Sequence, residues 1–428
     1  MLLIKNGQII DPESQKEYQA DLLLDGPVIA GIGTYEDDGT WDTVIDASGC
    51  VVAPGLVDVH VHFRDPGQLH KEDIHTGAAA AAAGGFTTVI TMANTVPPVD
   101  TVETLCYIIE EGKKTGIHVL PAAAISKGME GKELTDMEDL KAAGAVGFTD
   151  DGKPLMDQKL VERAMNQAAR LDVPLSFHEE DPSFIKDPGI NHGAVSDKLG
   201  IYGSPAQAEE SLTARDCRIA LGTGAAVNIQ HISSRNTVQT IRAARQAGAR
   251  VYAEVTPHHF TLTEEAVLEK GTLAKMNPPL RTEADRQALI QGLKDGTIDL
   301  IATDHAPHSP EEKAKPLTEA PSGIIGLETA LALAITELAI PGHLSLSQII
   351  EKMSLNPAKL YHLPCGCIEP GAPGDIVIFN PTETWTVKKF HSKSSNSPFT
   401  GRQLTGKVKW TICDGKVVYK DSEEVVHR

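Results

Sequence analysis

The strongest constraint on this chain is an alternation that begins near Leu56, where short apolar, β-rich runs are separated by longer stretches rich in alanine, glutamate and lysine. Eight runs can be read, at Leu56 to His62, Thr87 to Asn94, His118 to Ile125, Ala145 to Asp151, Val173 to Glu179, Ala226 to Ser233, Arg250 to His258 and Asp299 to His305. Apolar residues at helical spacing follow most of them, as in Leu155 to Leu171, Ser204 to Leu221, Asn236 to Ala247 and Gly323 to Ala339. A strand followed by a helix-length crossover returns the chain parallel to itself, so the pattern specifies a parallel sheet covered by helices. Eight such units predict an α/β fold, a closed (β/α)₈ TIM barrel.

The flanking chain reads differently. In the first fifty residues Leu2 to Ile4, Ile9-Ile10 and Leu22 to Leu24 alternate with the turn signals Asn6-Gly7 and Asp25-Gly26. After Leu360 strand texture returns in Asp375 to Phe379, Thr384 to Val387, Gln403 to Trp410 and Lys416 to Tyr419, punctuated by Pro370-Gly371-Ala372-Pro373-Gly374. The expected organisation is a small β-rich domain formed by the N- and C-terminal segments, residues 1–52 and 362–428, beside a barrel over 53–361.

Composition narrows the partners. With 41% hydrophobic and 23% charged residues the chain has ordinary globular usage, which excludes disordered, collagenous and coiled-coil classes. Its 39 basic and 58 acidic side chains give a net charge of −19, so neither nucleic acid nor an anionic membrane is held by bulk charge. An anionic substrate therefore needs a local cationic site. The longest uncharged stretch, Ile74 to Val99, is interrupted by Gly84-Gly85, Asn94 and Pro97-Pro98 and makes a poor membrane span. Six cysteines, at 50, 106, 217, 365, 367 and 413, form no paired C-x-x-C blocks, and no secretory leader is evident, so a reducing, cytoplasmic setting is expected.

With the strands so placed, polar residues gather at their C-terminal ends, where barrels of this type build active sites. His60 and His62 stand two apart on the first strand and project to one face, with Val59 and Val61 on the other, so both imidazoles can meet one ion. In a chain with 16 histidines such a pair is weak evidence by itself. It gains weight from His178, His231 and Asp304, which close the fifth, sixth and eighth runs. Imidazole nitrogens with a carboxylate suit Zn²⁺, with Co²⁺ or Mn²⁺ as substitutes. His258, His259 and His305 also lie near strand ends and are given no ligand role. Cys365-Gly-Cys367 lacks the second pair that a zinc knuckle needs, and no glycine-rich stretch has nucleotide-binding spacing.

The segment Pro54-Gly-Leu-Val-Asp-Val-His-Val-His-Phe-Arg-Asp-Pro-Gly67 resembles the first-strand signature of the amidohydrolase superfamily in its dihydroorotase form. Met92-Ala-Asn-Thr-Val-Pro-Pro98, Ala302-Thr-Asp-His-Ala-Pro-His308, Gly371-Ala-Pro-Gly-Asp-Ile-Val-Ile-Phe379 and Ser397-Pro-Phe-Thr-Gly401 resemble the same family, nearly end to end. The histidine and aspartate elements are shared with hydantoinases and allantoinases; the contexts of Arg64 and Asn94 narrow the likeness. The resemblance implies a cyclic amidohydrolase with two Zn²⁺ per chain, His60, His62 and Asp304 on one ion and His178 and His231 on the other. Many relatives bridge the ions with a carboxylated lysine at the end of the fourth strand. Here Gly147-Phe-Thr-Asp-Asp-Gly152 resembles the bacterial type bridged by aspartate, and Asp151 is assigned, with Asp150 second and Lys153 still open. The purely structural alternative is an Asp-Asp-Gly turn.

The implied reaction is the reversible interconversion of N-carbamoyl-L-aspartate and L-dihydroorotate in pyrimidine (UMP) synthesis, with Asp304 as both metal ligand and proton shuttle. Arg64, two residues beyond His62, can grip the single ring carboxylate bidentately, the alternative being a surface pair with Asp65. By the resemblance, Asn94 and His308 complete the carboxylate and ring contacts and Asn277 reaches the ring, unless Asn277 is only a turn residue before Pro278-Pro279. Two other readings stay open. An allantoinase or dihydropyrimidinase (hydantoinase) shares the metal shell but has no need of an arginine facing a ring carboxylate. A catalytically silent scaffold for aspartate transcarbamoylase is expected to have lost ligands, and none is lost here. Association with aspartate transcarbamoylase and homo-oligomerisation are compatible with the family. The polar, proline-punctuated segment from His308 to Pro316 reads either as a lid over the substrate or as an ordinary loop.

Overall fold

Eight short parallel strands, Leu56–Val61, Phe86–Thr91, His118–Pro121, Phe148–Thr149, Leu175–Phe177, Val227–Ile229, Val251–Val255 and Leu300–Ile301, make the barrel in the computed structural model. It describes residues 1–36 and 39–421. Pairing is continuous within the first three strands and within the last five. Two parallel bridges close the ring, Ala123 to Phe148 at one seam and Val61 to His305 at the other. Across the second seam the His62 N–H donates to the His305 carbonyl at 2.9 Å. The first two strands are buried at every position, which explains why they read as near-continuous apolar runs rather than as alternation.

The regular strands are shorter than the runs read from sequence. Ala145 to Asp151 keeps Phe148–Thr149, and Asp299 to His305 keeps Leu300–Ile301. The cause is that residues at the C-terminal ends leave the ladder to turn their side chains into the mouth. Arg64, His231 and Asp304 do so with φ of 60°, 34° and 48°, left-handed values that cost about 1–3 kcal/mol each and persist where the surroundings impose them.

The helix Gln158–Leu171 starts at Asp157, whose carboxylate accepts from the Lys159 N–H, and it buries Leu160, Val161, Ala164, Met165 and Ala168 on one stripe. Ala206–Thr223 and Arg235–Gln246 lie where helical spacing put them. Gly323 to Ala339 is not one helix. Gly323 has φ +109°, and a Cβ there would stand 2.7 Å from the Ala306 Cβ, so the chain passes Ala306 as a tight loop before a helical stretch that begins at Leu327.

The outer sheet runs in the order Lys416–Lys420, Gln403–Cys413, Ile376–Thr386, Val51–Pro54, Leu2–Asp11, Lys16–Asp25, Val28–Gly33, with Thr43–Asp46 also paired to Leu2–Asp11. Val51–Pro54 is the seam, parallel to Leu2–Asp11 and antiparallel to Ile376–Thr386. Period-two alternation decides which core each residue joins. Ile376 and Ile378 pack with Ile4, Ile9 and Leu22, whereas Val377 and Phe379 pack into the barrel core. We propose residues 1–52 with 362–428, and 53–361, as the two structural units; residues 422–428 lie outside the described residues, and the line at 52 falls inside a strand. The stretch 387–402 leaves the sheet for the barrel mouth, where the Asn396 side chain accepts from the His308 N–H at 3.1 Å and donates to the Ala306 and Gly323 carbonyls at 3.1 and 3.2 Å. Among the described residues no helix is long and apolar enough to cross a membrane.

Candidate metal centre

The strand ends bring His60, His62, Asp151, His178, His231 and Asp304 together, all buried. Asp151 lies at the middle. Its Oδ1 is 3.5 Å from His60 Nε2, 3.5 Å from His178 Nδ1 and 3.7 Å from His231 Nε2, and its Oδ2 is 3.5 Å from His62 Nε2. The two sets His60–His62–Asp151 and Asp151–His178–His231 each hold their ligand atoms within 4.8 Å of one another and share that aspartate. Asp304 Oδ1 stands 3.0 Å from His62 Nε2 and 3.5 Å from His60 Nε2.

Three of the rings are aimed from behind. His60 Nδ1 is 2.6 Å from Glu254 Oε1, His62 Nδ1 is 2.9 Å from Asn94 Oδ1, and His178 Nε2 is 3.0 Å from Glu180 Oε2. Each acceptor fixes the proton on the outer nitrogen and leaves the inner lone pair free to ligate. His60 Nε2 and Asp151 Oδ1 are buried and have no hydrogen-bond partner, which is unfavourable for polar atoms unless a cation sits between them. The donor set therefore fits divalent metal.

Electrostatics point the same way. Burial works against charge on His60 and His178, yet Glu254, Asp151 and Asp304 raise the first well above the usual imidazole range. Asp151 and Glu180 push His178 up to about 10 against the same burial. Burial also opposes ionisation of Asp151 and Asp304, but the facing histidines hold both carboxyls below the ordinary range. The cluster calls for positive charge at its centre.

Asp150 does not share this centre. Its carboxylate accepts from the Ile125 and Ser126 N–H groups at 2.8 and 3.1 Å and from the Ser126 hydroxyl. Lys153 is exposed on the following turn. Of the histidines given no ligand role, His259 bonds Thr256 Oγ1 and the Pro278 carbonyl at 2.7 and 3.0 Å, and His305 accepts from the Gly326 N–H at 3.2 Å.

Sequence reasoning missed Asp58, Glu180, Asn228 and Glu254. Asp58 is fully buried and accepts from the N–H groups of His60 and Thr303 at 3.0 and 3.2 Å, joining the first strand to the last. The signal was present, since Asp58 falls two residues before His60 on the face of both histidines. Glu254 receives Asn228 Nδ2 at 2.9 Å and the His231 N–H at 3.1 Å while holding His60.

A single cavity above the cluster is lined by His62, Asp151, His178, His231 and Asp304 together with Arg64, Asn94, Asn277 and His308. His60 lies beneath it. Arg64 is half-buried, donates from Nε to the Pro307 carbonyl at 3.2 Å and brings Nη2 to 3.5 Å from His308 Nε2. Asp65 instead accepts the Tyr107 hydroxyl at 2.9 Å. Asn94 also donates to Asp151 Oδ2 at 3.2 Å, so it orients two candidate ligands besides lining the cavity. Asn277 Oδ1 and His308 Nδ1 are buried without hydrogen-bond partners.

The segment after His308 is anchored. Ser309 caps the short helix Pro310–Lys313, Lys313 Nζ donates to the Pro321 and Gly323 carbonyls at 2.8 and 3.1 Å, and Glu312 pairs with Lys71 at 2.9 Å. These contacts favour an ordinary loop. Limited proteolysis is expected to cut 308–316 equally with and without a tight-binding substrate analogue; protection by the analogue would restore the lid.

A closed barrel with histidines and aspartates converging at its mouth defines a metal-dependent hydrolase of the amidohydrolase superfamily. Solved structures match over almost the whole chain. L-hydantoinase (dihydropyrimidinase) from Arthrobacter aurescens superposes with a TM-score of 0.88 at 25% identity, covering 99% of this chain and 97% of that one. D-hydantoinase (dihydropyrimidinase) from Thermus sp. gives 0.82 at 28%, covering 99% and 96%. The sequence is nearer to another branch. The dihydroorotase of Clostridioides difficile (strain 630) is 61% identical over 419 residues, 98% of this chain and 100% of that protein. The dihydroorotase of Clostridium acetobutylicum is 55% identical over 98% and 100%, and that of Lactococcus lactis subsp. lactis 49% over 98% and 99%. A dihydro-orotase-like family model matches residues 49–237. The chain belongs to the dihydroorotase family.

Proposed function

We propose that the protein catalyses the reversible interconversion of N-carbamoyl-L-aspartate and L-dihydroorotate, the cyclic-amide step of pyrimidine (UMP) synthesis, with two zinc ions at the barrel mouth. The observation that carries this reading is Arg64, a half-buried guanidinium opening on the cavity that Asp304 and the histidines also line. Dihydroorotate has one carboxylate on a small ring, which a planar guanidinium holds through paired hydrogen bonds. Allantoin and dihydropyrimidines lack that carboxylate, so for them the desolvated cation brings no return.

His60, His62 and Asp304 would hold one ion and His178 and His231 the other, with Asp151 between them. When bound, zinc supplies Lewis-acid polarisation of the amide oxygen and lowers the pKa of water from 15.7 to about 7. Arg64, with Asn94 and His308, orients the substrate carboxylate, and Asn277 Oδ1 accepts from the ring. Asp304 accepts the proton of the attacking water and returns it to the departing ring nitrogen as the amide C–N bond breaks. In the closing direction the same carboxylate takes the proton of the ureido nitrogen, and water leaves.

Arg64→Lys keeps the charge and loses the planar fork, so kcat/KM for dihydroorotate is expected to fall by about 10²-fold or more, with unchanged metal content. Near-normal kinetics, or faster turnover of allantoin or dihydrouracil than of dihydroorotate in parallel assays, would reject the substrate assignment. His308 is expected to act as a neutral imidazole. Burial, then Arg64, Lys313 and Lys71, push its pKa down to about 2. Replacing it with asparagine should therefore raise KM by the same factor at about pH 6 as at about pH 8; a factor that changes with pH would show a charged His308. We also propose a cytoplasmic setting, on six free cysteines, and self-association or association with aspartate transcarbamoylase, which sedimentation of the chain alone and with that enzyme tests.

A further inference from the structure

We infer that the base of the barrel carries a second, sulfur-containing metal site, in which His118, Cys413 and Asp414, backed by Asp375, bind one divalent cation of zinc-like preference. His118 begins the third barrel strand, and the N-terminal ends of parallel strands lie at the end of the barrel opposite the mouth. Cys413 ends the outer strand Gln403–Cys413, and Asp414 turns the chain with φ +49°. The ligand atoms of these three residues lie within 4.8 Å of one another. His118 Nε2 is 3.1 Å from Asp375 Oδ2 and 3.8 Å from Asp414 Oδ1, while Asp375 Oδ1 accepts the Asp414 N–H at 2.8 Å. Cys413 Sγ is buried, 3.7 Å from the Thr87 carbonyl.

This group is independent of the candidate metal centre at the mouth. It joins the third barrel strand to the outer sheet, so an ion here would clamp one unit to the other. Two carboxylates and a thiol face one imidazole, a set short of positive charge. Without an ion, the buried Cys413 thiol donates to the Thr87 carbonyl. A cation changes that balance. The Cys413 S–H bond breaks, the sulfur electron pair goes to the ion and the proton leaves to solvent. Thiolate, imidazole and carboxylate are the donors zinc takes in tetrahedral sites, and one Asp375 oxygen or a water can supply the fourth position.

Cobalt distinguishes this site from the mouth, whose candidate ligands are nitrogen and oxygen alone. With its zinc exchanged for Co²⁺, the enzyme is expected to develop a near-ultraviolet thiolate-to-cobalt charge-transfer band that accounts for one bound ion per chain beyond those at the mouth. Cys413→Ser and, separately, His118→Gln should lose the band at the concentration that saturates the wild type while keeping hydrolytic activity. Cys106→Ser, at an exposed cysteine, should keep it. Absence of the band in the wild type, or its persistence in Cys413→Ser, would overturn the site. If Cys413→Ser does not fold, His118→Gln decides alone: an unchanged band and titration midpoint would equally refute it.

Discussion

Asp304→Asn is expected to slow the chemical step by about 10²- to 10⁴-fold while changing substrate affinity far less. The amide keeps an oxygen that can face the metal, but it cannot accept a proton at neutral pH. In the wild type the carboxyl is ionised and poised, since His60 and His62 hold it below the ordinary range against its burial. The comparison needs single-turnover rates at matched metal occupancy, because loss of an ion at His60 and His62 would imitate loss of the base. Turnover within a few fold of wild type, fully metallated, would move the proton to another group.

Asp151→Asn should have the largest effect on metal content. Asp151 is the residue common to both candidate ligand sets, and a neutral amide bridges two cations poorly. Elemental analysis in a Cys413→Ser background, which leaves the mouth alone to bind metal, is expected to fall from about two ions per chain to about one, with most activity lost. The neighbouring change is the control. Asp150→Asn should keep both ions and instead lose about 1–3 kcal/mol of stability, because Oδ1 still accepts the Ile125 and Ser126 N–H groups but the amide nitrogen in place of Oδ2 cannot accept the Ser126 hydroxyl. Metal loss in Asp150→Asn with retention in Asp151→Asn would reverse the assignment.

Much of this architecture was legible because barrel strands announce themselves twice, by apolar runs and by a polar residue at each end. Period-two geometry put His60 and His62 on one face, a weak signal by itself that His178, His231 and Asp304 strengthened from their place after short apolar runs. Adjacent Asp150 and Asp151 were ranked, Asp151 first, by the family resemblance and not by their local chemistry. Both end one strand in the same chemical group, and only the direction of each side chain, one toward Ser126 and one toward the histidines, tells them apart. Glu254 and Glu180 escaped for a different reason. They act through a partner far along the chain or on a ring nitrogen turned away from the mouth, and no local pattern encodes such a pairing. The same holds for Asn396, whose bonds to the His308 backbone and the Gly323 loop span long stretches of sequence.

The seam strand Val51–Pro54 gives the molecule an order of assembly in time. One neighbour, Leu2–Asp11, is already made when the seam leaves the ribosome, while the other, Ile376–Thr386, is encoded about 320 residues later. At ~5–20 residues per second of synthesis, that partner follows after roughly 15–60 s. For that interval the nascent protein has an unpaired strand edge at Val51–Pro54, and the barrel lacks the apolar face that Val377 and Phe379 later cover. An open edge of this kind templates aggregation, so the half-made chain is the form most exposed to chaperones and to self-pairing. Release of the finished chain, rather than closure of the barrel, is the moment at which the fold becomes self-protecting.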